Sequence, residues 1–188
     1  VDFATPQSVA RFGHAGMKQD APDYFAAVLL THVLGGGSFE SRLMTEVREK
    51  RGLTYGVNSY LAPRDRAAVY LGGVSSANDR IAEAIQVIRE EWAKAEVDGL
   101  TEAELEAAKT YITGAYPLRF DGNARIANIL VGMQLINLPI DYIATRNDRV
   151  EAVTLEDVKR VADELLDPEG LHFVVVGQPE GLESTAAN

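Results

Sequence analysis

The sequence predicts an α+β domain in which helices stack on one face of a mostly antiparallel sheet. Two observations lead to this expectation. Short runs typical of strands occur near both ends of the chain and in a hairpin pattern after the second helix. Long amphipathic patterns with helix caps fill most of the rest. Because no internal repeat or linker-like segment interrupts this order, we expect one domain over residues 1–188, with a frayed tail at 178–188.

The chain opens with a strand and a buried helix. The pattern of SVARFGH (residues 8–14) predicts a short strand with Val9, Arg11 and Gly13 on one face and Ala10 and Phe12 on the other. DYFAAVLLTHVL (residues 23–34) is apolar nearly all round and predicts a buried helix. Glycine enters the left-handed region without strain, so we expect the glycine run at 35–37 to end this helix in that conformation.

A second helix is expected from Ser38, as its N-cap, to Gly52, which stops it. Phe39, Leu43 and Val47 recur every four residues and predict its buried face. Cations complement the dipole at the end of a helix, and the last turn here holds Arg48, Lys50 and Arg51.

A hairpin and a set of helices follow. Residues 55–62 and 67–74 alternate around the turn sequence PRDR, which predicts two paired strands, the first beginning at Tyr55. Helices are then expected at 81–99, after the capping box Thr101–Glu104, at 122–137, after Pro139 and after the capping box Thr154–Asp157. The apolar run LHFVVVG (residues 171–177) suits a central strand.

Composition narrows the class of protein. Hydrophobic residues make up 46% of the 188 residues and charged residues 24%, as in ordinary globular proteins. The net charge of −10 argues against a nucleic-acid partner, which would need a basic surface. The absence of cysteine excludes disulfides, thiolate zinc sites and a cysteine nucleophile, but it does not fix the compartment as periplasm or cytoplasm.

Two further features bear on the setting of the chain. It has no run of 18 apolar residues and no signal-peptide pattern, so we expect a soluble chain without membrane insertion. It begins at Val1 rather than at a methionine, and we expect either a processed product or a piece of a longer polypeptide.

The motifs of metal, nucleotide and serine chemistry are missing. None of His14, His32 and His172 has a second histidine or a glutamate at ligand spacing, so we expect no metal in this chain. GGGSFES matches neither phosphate-binding glycine pattern, and Ser38 lacks the G-x-S-x-G frame. Acidic pairs such as Glu90–Glu91 lie on amphipathic helix patterns, and we expect them to be exposed.

Arg48 and Tyr55 remain, on either side of Gly52. One interpretation is structural: the arginine caps carbonyls of the last turn, and the tyrosine packs on the sheet. The other is functional: the turn at Gly52 brings a guanidinium and a phenol close together, where they can hold a peptide carbonyl and stabilise its oxyanion. Spacing alone leaves both interpretations open.

The segment LGGGSFESRLMTEVREKRGLTYGV, residues 34–57, resembles the signature of the second domain of insulinase/pitrilysin-type zinc metallopeptidases, a family that includes mitochondrial processing peptidase. The resemblance extends over the helix before the glycines, the hairpin, the helical middle and the closing strand. The matching positions are Leu34, Gly35, Gly36, Gly37, Ser41, Arg42, Leu43, Val47, Arg48, Gly52, Leu53 and Tyr55.

This resemblance implies a fold and a role. In the family, two similar domains close like a clamshell. The first binds zinc on an H-x-x-E-H helix, and the second, which usually lacks metal, contributes an arginine and a tyrosine to the substrate cleft. These two positions fall on Arg48 and Tyr55. In some relatives a glycine-rich segment also guides the substrate, and that segment falls on Gly35, Gly36 and Gly37.

The resemblance therefore implies the zinc-free half of a metalloendopeptidase, inactive alone and without a cofactor of its own. It would bind an extended peptide beside zinc held by a separate H-x-x-E-H domain or subunit, in one polypeptide or in two. Two alternatives stay open: a non-catalytic core or scaffold subunit of the same family, and a stand-alone peptide-binding domain. A pure scaffold has no chemical reason to keep the Arg–Tyr pair.

Overall fold

The structure, a computed structural model, describes residues 1–64 and 66–185. Within them, four antiparallel strands form a sheet with the order β2-β3-β1-β4. Helices pack on one face of this sheet, so the predicted α+β fold is confirmed. The strands are β1 (Gln7–Ala15), β2 (Val57–Ala62), β3 (Val69–Ala77) and β4 (His172–Val176).

The hairpin is formed by β2 and β3, as the alternation predicted. Val57 lies opposite Val74, and Ala62 lies opposite Val69. The predicted turn at 63–66 includes Asp65, which lies outside the described residues. The first strand begins two residues later than expected, because Tyr55 lies in a bend before it.

The prediction that 171–177 forms a central strand is wrong, because β4 lies at an edge of the sheet. It pairs with β1 on one side, Val9 facing Val176. On its other side only the first residues of the described chain approach, with the Val1 ammonium donating to the Val175 carbonyl at 2.7 Å. Val174 of β4 remains exposed on the outer face. An apolar run shows that a strand can be buried on both faces, but its position in the sheet depends on which distant strands it pairs with.

Two of the helices begin where local signals place them. The Thr101 and Thr154 side chains each accept the N3 backbone N–H, and the N3 carboxylate accepts the N-cap N–H in return, so both predicted capping boxes are confirmed. The helices are α1 (Tyr24–Thr31), α2 (Ile81–Asp98), α3 (Glu102–Ala115), α4 (Asn123–Leu135), α5 (Tyr142–Glu151) and α6 (Leu155–Leu165).

An aromatic cluster lies where α2 crosses the sheet. Trp92 is fully buried, and its ring meets Phe12 of β1 edge-on at 5.7 Å and Tyr70 of β3 at 4.9 Å. The Trp92 Nε1–H donates to Nε2 of His14 at 2.9 Å. Burial lowers the pKa of His14, so the imidazole stays neutral and accepts this hydrogen bond.

One acidic residue departs from its prediction. Glu90 is exposed as expected, but its neighbour Glu91 is buried where α2 packs against the segment that holds Arg42 and Glu46. Burial raises the pKa of Glu91. The two residues are adjacent on a helix and therefore point about 100° apart, which places one in solvent and the other against the body.

The chain after β4 stays close to the body. The Glu180 N–H donates to the Asn78 carbonyl at 2.9 Å, and Leu182 packs against the core. Residues 186–188, at the end of the tail predicted to fray, lie outside the described residues. Among the helices that the structure describes, none has the length and apolar character needed to span a membrane.

Candidate functional site

The segment between α1 and β2 contains two π-helical stretches. α1 continues into a π-helix at His32–Gly36, a 3₁₀ turn follows at Ser38–Glu40, and a second π-helix occupies Met44–Glu49. π-Helical turns widen the backbone by one residue and occur frequently at functional sites. The predicted capping role of Ser38 concerns a side chain outside the described part of the structure.

The glycine run does not end the helix in the left-handed conformation, so that prediction is wrong. Gly35 and Gly36 continue the helix, and Gly37 has a φ of −82°. Gly35 is instead required by close approach: a Cβ there would lie 2.9 Å from the backbone nitrogen of Ser59 in β2. The absence of a side chain at Gly35 lets the π-helix pack directly on this strand.

Phe39 also departs from its prediction, whereas Leu43 and Val47 are fully buried as expected. The Phe39 ring is 59% exposed, and the Arg48 guanidinium carbon lies 5.0 Å from its centroid, which is a cation–π contact. Phe39 belongs to the 3₁₀ turn rather than to the helix, so the four-residue period did not apply to it.

Gly52 stops the helical segment after the second π-helix, as predicted. Gly52 has a φ of +61°, its N–H donates to the Arg48 carbonyl at 2.8 Å, and the Leu53 N–H donates to the Val47 carbonyl at 2.9 Å. These bonds satisfy the last carbonyls of the helix and reverse the chain direction. Leu53 is then buried, which fixes where the chain leaves the helix.

Tyr55 projects from a turn that Thr54 holds in place. The Thr54 hydroxyl lies 2.7 Å from the Ser75 carbonyl and 2.9 Å from the Gly56 carbonyl, which share its one proton, and it accepts the Gly56 N–H at 3.0 Å. Tyr55 itself is 90% exposed and does not pack on the sheet. A small network of hydrogen bonds therefore holds a turn whose central side chain points into solvent.

The cations near the end of the second π-helix differ in their partners. Lys50 and Arg51 both bind the Glu46 carboxylate, at 2.6 and 2.7 Å, and together they lower the pKa of Glu46. Arg48, in the same turn, forms neither an ion pair nor a hydrogen bond with its side chain in the part of the chain that the structure describes. Its guanidinium donors remain available to a ligand.

A cleft lies between the glycine run and β2. Its volume is about 440 Å³. Within the described ranges, no hydrogen bond or ring contact joins Arg48 to Tyr55, and neither residue lines this cleft. Their segments reach it at Met44, which begins the π-helix of Arg48, and at Gly56, which follows Tyr55. Gly37 packs against His32 instead. The lining includes Gly35, Gly36, Met44, Gly56, Asn58 and Tyr60.

Arg42, known from the sequence only as part of the signature, has a structural partner. Its guanidinium binds both oxygens of Glu104 at 2.7 Å and the Gly99 carbonyl at 3.0 Å. Burial alone would raise the pKa of Glu104, but hydrogen bonds from Arg42 and Thr101 outweigh it and lower that pKa to about 2. Arg42 thus fixes the signature segment to the start of α3.

The three histidines do not meet in space. His14 binds Trp92, His32 stacks on Tyr111 of α3 with ring centroids 5.0 Å apart, and His172 lies on the exposed side of β4. Over residues 1–64 and 66–185, no group of three or more metal-ligating side chains could hold a metal ion. The residues present therefore do not fit a zinc site.

Comparison with known proteins identifies the family. A family model described as peptidase M16 inactive domain matches residues 4–112. An uncharacterized zinc protease of Mycobacterium leprae is 33% identical over 144 residues, which are 75% of this chain and 32% of that protein. A protein of Schizosaccharomyces pombe named probable mitochondrial-processing peptidase subunit beta is 29% identical over 192 residues, 96% of this chain and 41% of that protein.

A solved structure gives the same answer. The peptidase M16 inactive domain from Pseudomonas fluorescens has a TM-score of 0.87 and 30% identity, covering 98% of this chain and 43% of that one. The chain spans between about a third and two fifths of the length of these relatives. The family match contains the whole segment from 34 to 57, with the glycine run, Arg48 and Tyr55. The chain belongs to the peptidase M16 inactive domain family, as the resemblance of its sequence indicated.

Proposed function

We propose that this chain is the substrate-binding half of a zinc metalloendopeptidase. In this proposal it works with a zinc-bearing H-x-x-E-H domain or subunit, and the two together are called the complete assembly here. The observation that supports it most is the state of Arg48, whose guanidinium rests on the Phe39 ring and has no carboxylate partner among the described residues.

The proposed task of Arg48 and Tyr55 is to bind the carbonyl oxygen of the scissile peptide bond. A guanidinium and a phenol are both hydrogen-bond donors, and such donors gain strength when the carbonyl develops negative charge during attack. Arg48 can serve because its charge is not neutralised within the chain. Tyr55 can serve because its side chain projects 90% exposed from a turn that Thr54 pins.

The substrate class that fits is an extended peptide. The cleft runs along β2, with glycines on one side and the exposed side chains of Asn58 and Tyr60 on the other. Glycines leave room for a backbone to approach closely, and exposed polar groups can hydrogen-bond it. This supports placing the peptide between the glycine run and the strand.

The partner follows from the chemistry that this chain lacks. The described residues hold no group that fits a metal, whereas the relative from Mycobacterium leprae is named a zinc protease and is about three times as long as the stretch it shares with this chain. Hydrolysis therefore requires the zinc-bearing half, and this chain binds and orients the peptide. Closure of the two halves would exclude bulk water from the cleft.

The test is peptide turnover by the complete assembly. Arg48→Ala and Tyr55→Phe should each lower turnover by about 10²–10³, the range for losing an oxyanion donor, while zinc content stays unchanged. Lys50→Ala is the matched control, because Lys50 lies two residues away and its charge is already paired with Glu46. The wild-type chain alone should show no turnover.

Two outcomes would contradict the proposal. If both variants turn over peptide at the wild-type rate, Arg48 and Tyr55 have only a structural role, and a non-catalytic scaffold subunit is favoured. Turnover by the isolated chain would mean that it contains a catalytic site of its own.

A further inference from the structure

α4 is an apolar helix that the rest of the chain leaves uncovered. None of its residues is buried, although the stretch from 126 to 140 contains no charged side chain. Leu135 is 74% exposed, and Ile140 is fully exposed. The α4 patch is defined here as the exposed aliphatic side chains of this stretch: Leu130, Val131, Leu135, Ile136 and Ile140.

The opposite side of the helix is apolar as well. Ile126 and Ile129 are half-buried, and Met133 packs against the core. Helices that are apolar on both sides are typically buried on both sides. Contiguous exposed apolar patches mark interaction sites, whereas single apolar side chains scattered over a protein surface are ordinary.

We propose that the α4 patch docks on the zinc-bearing half of the complete assembly, in an apolar groove that receives the helix. This inference rests on the proposed function. The relatives are two to three times as long as the part this chain covers, so in them a large body is tethered close to this domain. A second copy of this chain is a poorer occupant, because two bodies of net charge −10 repel each other.

The first experiment compares hydrogen exchange in this chain alone and in the complete assembly. Peptides covering 123–140 should exchange at least about tenfold more slowly in the complete assembly, because a docked helix opens less often. Equal exchange in both states would overturn the proposal. So would protection confined to peptides covering β4, whose exposed Val174 belongs to a different apolar surface.

The second experiment measures association between this chain and the zinc-bearing half, produced as separate chains. Leu135→Glu should weaken association at least about tenfold, as expected for an apolar anchor. Val97→Glu is the matched control: Val97 is 67% exposed on α2 and should leave association unchanged. Circular dichroism and sedimentation velocity of each variant exclude misfolding as the cause.

The outcomes separate this inference from the proposed function. Arg48→Ala should keep association and lose turnover, whereas Leu135→Glu should lose association. If Leu135→Glu associates like the wild-type chain, the docking surface is wrong even where Arg48 proves essential. If the wild-type chain alone sediments as a dimer that Leu135→Glu dissociates, the patch binds a second copy and the inference is also wrong.

Discussion

Replacing Gly35 by alanine tests why glycine stands at the beginning of the run. The new Cβ would lie 2.9 Å from the backbone nitrogen of Ser59 and 2.9 Å from Leu43 Cδ1, closer than Cβ atoms normally approach. The leucine can rotate, but the backbone of β2 cannot, so the π-helix and the strand must separate. Overpacking of this kind costs about 1–3 kcal/mol of the free energy of unfolding.

Gly52 provides the contrast, because it is a glycine for the other reason. It has a φ of +61° and no atom within 4 Å of a built Cβ. Asparagine adopts the left-handed conformation more readily than alanine, so Gly52→Asn should cost less than Gly52→Ala, which should cost about 1–2 kcal/mol. At Gly35 the order should reverse, because the larger asparagine makes the clash worse.

The assay is urea denaturation followed by far-UV circular dichroism and by the fluorescence of Trp92, the one tryptophan of the chain. The Ser59 hydroxyl also lies too close to the new Cβ. Ser59→Ala combined with Gly35→Ala removes that clash and should recover only part of the loss, because the backbone nitrogen remains. Gly114→Ala is the control: it lies in α3 with open space around it and should stabilise by about 0.4–1 kcal/mol. The reasoning is refuted if Gly35→Ala is as stable as the parent, or if Gly35→Asn is more stable than Gly35→Ala.

Three further outcomes are expected. Glu104→Gln should cost about 1.5–3 kcal/mol at pH 7 in urea denaturation, because charge-assisted bonds to Arg42 are lost. That difference should shrink as the pH falls from 4.5 towards 2, because the unfolded chain takes up its proton first and the folded carboxylate, whose pKa is about 2, follows. Because the pKa of His14 is lowered in the folded chain, the unfolded chain takes up the proton first, and the free energy of unfolding should fall as the pH drops below 6.5. His14→Phe should reduce this dependence of the free energy of unfolding on pH, measured by denaturation at several pH values with Trp92 fluorescence. Phe39→Leu should lower peptide turnover by the complete assembly about two- to fivefold, because an exposed cation–π contact is worth about 0.5–1 kcal/mol.

Local signals in the sequence were sufficient for most of the fold. The capping boxes at Thr101 and Thr154 depend on residues three positions apart, and both form as predicted. The left-handed glycine at 52 also follows from its immediate neighbours. The edge position of β4 could not be read in this way, because it depends on pairing with β1, more than 150 residues earlier in the chain.

The candidate site was less predictable, because π-helical turns and distant partners determine it. A regular helix from Ser38 to Gly52 would bury Phe39, but the 3₁₀ turn moves that ring to the surface, under Arg48. Arg42 looked like any other residue of the signature, since its partner Glu104 lies 62 positions away. Sequence spacing identified Arg48 and Tyr55 as candidates, and only the structure shows which neighbouring charges are already paired.

The pairing of these charges bears on the two interpretations of Arg48. A capping arginine would donate to the last carbonyls of the helix, but Gly52 and Leu53 satisfy those carbonyls with their own N–H groups. A surface ion pair would need a carboxylate partner, but Glu46 in this turn already holds Lys50 and Arg51, and no ion pair joins Arg48 to another carboxylate among the described residues. The Phe39 ring supports the guanidinium without using its donors, because a cation–π contact engages the face of the ion. Among the described residues the guanidinium of Arg48 therefore keeps its donors free, as the proposed contact with a peptide carbonyl requires.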